Sequence, residues 1–161
     1  IDRRAYGRPQ RRPYVVSRTS SAHERLLMIP SNIQSFAQGY AKAWSTDRPE
    51  RVAAFFSANG SLKVNDGAPA VGRTAIADVA QSLMTAFPDM IVSFDRVERK
   101  AERIHFHWTL AGTNTGPGGT GKFVRVSGYE DWRFAAGGLV AEPLGHFDAA
   151  EYDRQLQHGA P

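Results

Sequence analysis

From residue 90 to residue 148 the hydrophobic period of this chain is two, held over four long segments. Side chains alternate across a strand, so such a stretch forms sheet rather than helix. The segments are 90–98, 103–113, 122–134 and 139–148, with a turn at 99–102. Before residue 90 the period is helical. Ile33, Phe36, Ala37, Tyr40 and Trp44 fall on one stripe after Pro30, with Ser31 as the expected N-cap. Asp47–Arg51 opens a second short helix with Val52, Phe55 and Phe56 inward, closed by Asn59-Gly60. A strand is expected at 61–65. A third helix at 74–86 carries Ile76, Val79, Ala80, Leu83 and Met84, and Phe87-Pro88 ends it. A short helix at 151–157 closes the chain. Helices followed by long antiparallel strands make an α+β fold, with the helices covering one sheet face.

The chain has 161 residues, enough for one domain with its own core. Residues 1–20 carry six arginines against one acid, Asp2, whereas the remaining residues are nearly balanced. The basic character is thus confined to the tail, which argues against nucleic acid as the main ligand. Residues 1–30 are expected to form a basic, flexible extension; an arm on a partner subunit and a nucleic-acid or membrane contact are the other readings. Residues 31–157 form the domain and 158–161 a short tail. No apolar run is long enough to span a membrane. The absence of cysteine excludes disulfides, thiol nucleophiles and cysteine–zinc sites, and fits a cytoplasmic protein.

Gly116-Pro-Gly-Gly-Thr-Gly-Lys122 has the spacing that opens a phosphate-binding loop. Such a loop needs a following helix and a Ser or Thr after the lysine. Here Phe123 follows, and the next residues alternate as a strand. The segment reads as a glycine-rich connection between antiparallel strands.

The strand after it holds the informative residue. Its even positions are Val124, Val126, Gly128, Glu130, Trp132 and Phe134, apolar except for Glu130. A carboxyl on a buried face must be hydrogen-bonded, protonated or open to a cavity, and burial raises its pKa toward the range used in acid–base catalysis. A structural glutamate satisfied by a Tyr, His or Arg is the competing reading. His105 and His107 share the other face of their strand, suited to a semi-exposed surface or an interface. Their spacing could ligate a metal, but no third ligand is evident, so no metal site is assigned. His146 near Asp148 is either a dyad or an exposed strand end.

Phe87-Pro88-Asp89, the run from Trp108 to Gly116, Thr120-Gly121-Lys122, Gly128-Tyr129-Glu130, and Gly138 to Glu142 before Asp148 occur in an order that resembles the SnoaL-like polyketide cyclase family of the nuclear transport factor 2-like superfamily. The resemblance spans residues 31–157. It implies a cone-shaped α+β fold whose curved antiparallel sheet and helices enclose one deep pocket. It implies a homodimer, a small hydrophobic ligand and an intramolecular aldol reaction without metal or cofactor. Glu130 stands where the family commonly has Asp, and Asn114 where it commonly has His. Glu142-Pro143-Leu144 replaces a common Glu-His-Trp.

The resulting expectation is a cofactor-free acid–base enzyme of cyclase, isomerase or dehydratase type acting on a hydrophobic carbonyl compound. Glu130 is the acid/base, Asn114 steadies the enolate, and His146 is a further catalytic candidate. Tyr40, Trp44, Phe56, Phe87, Trp108 and Trp132 are the candidate pocket walls. The alternative is a non-catalytic ligand-binding or dimerisation domain.

Overall fold

Six strands form one curved sheet in the order β2-β1-β6-β5-β4-β3. The computed structural model describes residues 21–161; the six arginines of residues 1–20 lie outside them. The strands are β1 (Ser61–Val64), β2 (Ala70–Val71), β3 (Ile91–Lys100), β4 (Arg103–Thr113), β5 (Phe123–Phe134) and β6 (Val140–Phe147). The helices are α1 (Ala22–Leu27), α2 (Ile33–Trp44), α3 (Pro49–Ala53), α4 (Arg73–Ala86) and α5 (Ala149–His158). The α+β class follows from these elements as expected. No helix among the described residues is long and apolar enough to cross a membrane.

β3 to β6 pair antiparallel, but β1 joins β6 in parallel. Register shifts between Phe94 and Arg96 and between Arg133 and Phe134 bend the sheet. The even face of β5 is buried or half-buried throughout, and the helices pack on that side. β3 runs two residues beyond its expected end, and the turn to β4 is only Ala101-Glu102, with Ala101 at φ 52°.

Two helix starts differ from expectation in their capping or their place. Asn32, not Ser31, caps α2, its side chain accepting from Ser35 N at 3.0 Å. Within the stretch set apart as extension, Ser21 and Glu24 form a reciprocal capping box that starts α1. Arg25 pairs with Glu102 at the β3–β4 turn, and Ile29 is buried in the core.

The loop between β4 and β5 leads into a strand, so it has no helix N-terminus for a phosphate. It docks on the end of α4 instead. Gly116 N donates to Ala86 O at 3.2 Å, and a Cβ at Gly116 would lie 2.1 Å from Thr85 O. Only glycine permits that approach.

Aromatic rings fill the space between α2, α3 and the sheet. Tyr40 is fully buried at their centre, edge-on to Phe55, Phe106 and Trp132, while Phe106 stacks on Trp132 at 4.7 Å.

Candidate functional site

β5 carries Glu130 into the interior because its parity with Val124, Val126 and Trp132 points it at the helices. Its side chain is held at both oxygens. Trp132 Nε1 donates to Oε2 at 2.7 Å, and the Tyr40 hydroxyl donates to Oε1 at 3.3 Å. Burial pushes the carboxyl up to about 7, against the two hydrogen bonds, which favour the charged form.

Glu130 also lines a cavity of about 440 Å³. This size falls in the range of small-molecule sites. Trp44, Phe106, Trp108, Leu110, Val126 and Phe147 supply much of its wall, with Val79, Ser82 and Leu83 from α4 and Tyr152 from α5. Among the described residues, Glu130 is the only Asp, Glu, Lys, Arg or His on the wall. None of the described wall residues is cationic, so none of them would offer an anionic ligand a counter-charge.

Trp108 is a wall residue with an unpaired polar atom. Its indole N–H is buried and has no hydrogen-bond partner among the described residues. Gly128, its register partner, makes room for its ring: a Cβ there would lie 2.6 Å from Trp108 Cζ2 and 2.4 Å from His146 O.

The other expected site residues separate. Trp44 and Trp108 are on the cavity wall; Tyr40, Phe56, Phe87 and Trp132 are core residues behind it. Tyr40 and Trp132 nonetheless reach the site through their bonds to Glu130. Asn114 does not line the cavity. Its Nδ2 donates to Ala86 O at 3.1 Å and its Oδ1 accepts from Thr120 N at 2.8 Å, so its amide closes the loop. His146 pairs with Tyr129, whose parity is opposite to that of Glu130, and stacks on its ring at 4.7 Å. It therefore belongs to the outer sheet face. Asp148 caps α5 through Glu151 N rather than forming a dyad.

Tyr152 is a wall residue that sequence reasoning did not select. Its signal is weak: one aromatic residue on a short polar helix, aligned with Gln155 and Leu156 at helical spacing. Gln155 fixes that helix on β5, accepting from Arg125 N at 2.7 Å and donating to Arg125 O at 3.0 Å.

The model of one protein family, SnoaL-like polyketide cyclase, matches residues 34–156. The chain belongs to the SnoaL-like polyketide cyclase family. Solved structures agree on the fold. A phenazine biosynthesis-related protein from Pseudomonas aeruginosa is 16% identical with a TM-score of 0.68, covering 87% of this chain and 92% of its own. A ketosteroid isomerase-like protein from Catenulispora acidiphila, solved with trimethylamine, is 16% identical with a TM-score of 0.67, covering 83% and 99%. A nuclear transport factor 2-like protein from Burkholderia pseudomallei is 20% identical with a TM-score of 0.66, covering 79% and 98%. No curated protein matches the chain.

Proposed function

We propose that this SnoaL-like protein is a cofactor-free acid–base enzyme acting on a neutral, hydrophobic carbonyl compound. One observation carries the reading: among the described residues a single carboxyl, poised near neutrality by burial, lies on the wall of a mostly apolar cavity. In the charged form Glu130 takes a proton from the carbon next to the carbonyl. The C–H bond breaks, an O–H bond forms on Glu130, and the electron pair moves onto the carbonyl oxygen. The enolate then attacks a second carbonyl carbon of the same molecule, whose π bond opens to an alkoxide that takes the proton back from Glu130, or the enolate is reprotonated by Glu130 at another carbon. With the Asn114 amide committed to its loop, the donor to the enolate oxygen comes from another wall residue, Tyr152 or Trp108. The cyclase, isomerase and dehydratase variants share this first step.

Deuterium exchange next to the carbonyl tests it, followed by NMR on a panel of hydrophobic ketones and 1,3-dicarbonyl compounds. The wild type should exchange with a midpoint near pH 7, and Glu130→Gln should lose at least about 100-fold. Equal exchange in the variant removes Glu130 from the mechanism.

A second reading has its own support. Both Glu130 oxygens are already engaged by core side chains, as in a structural glutamate. A non-catalytic ligand-binding domain would bind the same compounds without exchange in either protein. We also propose a cytoplasmic homodimer, on the strength of the family resemblance and the absence of cysteine; light scattering of the purified chain reads the assembly directly.

A further inference from the structure

The outer face of the sheet carries a cluster that the cavity does not use. β3 and β4 pair Glu98 with His105 and Arg96 with His107. The hairpin thereby sets one carboxylate opposite the first of two histidines that share a strand face at i and i+2. A ligand atom from each of Glu98, His105 and His107 lies within 4.8 Å of the other two. We propose that these three side chains form a site for a divalent transition-metal ion, best matched by zinc.

Three features support it. The donor set of two imidazoles and one carboxylate is one that zinc takes, with a fourth position left to water. Atoms at these separations need shifts of under about an ångström to reach zinc-bond lengths of roughly 2.0–2.2 Å from a common centre. His107 Nε2 is buried and makes no hydrogen bond among the described residues, although Glu98 Oε2 is only 3.4 Å away. A buried nitrogen held only by a 3.4 Å approach to a carboxylate is the arrangement an ion shared between them would use.

The rings are also held in place. Tyr129 stacks on His105 at 5.0 Å and sits 5.6 Å from His107. Asp131, opposite His105 on β5, places Oδ1 3.6 Å from His105 Nε2 and is itself held by Arg103 at 2.7 Å. It is positioned to orient that imidazole.

Two cations compete for Glu98. Arg96 Nε lies 3.1 Å from Oε1, and Lys100 Nζ lies 3.4 Å from Oε2. Both side chains are more than half exposed, at 58% and 56%. Lys100 can swing into water and free Oε2, while Arg96 keeps Oε1. Their charge sets the expected affinity in the micromolar range rather than tighter.

The test is a calorimetric titration of metal-free full-length protein with Zn²⁺, together with Co²⁺ absorption spectra. One equivalent should bind. His105→Ala, His107→Ala and the shape-conserving Glu98→Gln should each weaken it at least about tenfold, with loss of the Co²⁺ band. Circular dichroism verifies that each variant is folded. His23→Ala and His158→Ala, at exposed histidines elsewhere, should bind as the wild type does. The proposal is overturned by absence of binding up to millimolar Zn²⁺. It is equally overturned by wild-type affinity in folded His107→Ala or Glu98→Gln, or by loss of binding in the two control variants.

Discussion

Tyr40 and Glu130, ninety residues apart in the chain, meet at 3.3 Å in the buried interior. That bond is long for an O–H···O contact, whereas the Trp132 bond to the same carboxyl, at 2.7 Å, is short for N–H···O. Trp132 is therefore the stronger brake on the pKa of Glu130. Tyr40→Phe removes the weaker donor and should move the exchange midpoint upward by less than Trp132→Phe does. The pH–rate profiles of the two variants give the order. Tyr40→Phe should also cost about 1 kcal/mol of stability, read from denaturant midpoints.

Glu130 makes stability depend on pH with a definite sign. Its folded pKa, about 7, stands above the unbound value of 4.5, so the folded state holds the proton more tightly. The stability this contributes is complete below pH 4.5 and is lost as pH rises through 7. The whole change is about 3 kcal/mol. Glu130→Gln abolishes this dependence. Its amide oxygen can accept from Trp132 while its nitrogen donates to the Tyr40 oxygen. Urea melts at pH 5 and pH 8 should show the variant gaining on the wild type at the higher pH.

Gly128→Ala should destabilise the fold by about 1–3 kcal/mol, at the upper end because one clash is with the His146 backbone oxygen at 2.4 Å. Gly145→Ala is the comparison, since a Cβ there meets its nearest neighbour at 3.6 Å. The difference between their thermal midpoints measures how closely the His146 backbone and the Trp108 ring together approach β5.

Asn114→Ala should behave as a loop mutation. It strips a partner from Thr120 N and from Ala86 O and should cost about 1–2 kcal/mol. Exchange activity per folded molecule should stay unchanged. A fall in exchange without a fall in stability would restore Asn114 to the chemistry.

What could be read from the chain before folding was whatever local periodicity encodes. The alternation of β4 gave its bounds at Arg103 and Thr113, and parity along β5 singled out Glu130. Features set by register or by long-range approach stayed hidden. Glu98 joins the two histidines only because the β3–β4 turn is two residues long, so that Lys100 pairs with Arg103. The parallel union of β1 with β6 has no local signal, and neither does the use of Asn114 to close a loop. The rings of Tyr40, Phe56, Phe87 and Trp132 look like pocket walls in sequence because core and cavity demand the same apolar side chains.

β6 pairs with β5 only from Gly128 onward, so among the described residues the first five of β5, 123–127, have no strand on that side. Gln155 supplies both halves of a peptide-like pairing to Arg125, and Ala160 N donates to Phe123 O at 2.8 Å. The C-terminal segment is thus a guard on an open sheet edge as well as a carrier of Tyr152. A chain cut before Ala149 would leave a bare template for strand addition. Self-association of such a truncated protein, rather than simple loss of ligand, is the failure this architecture guards against.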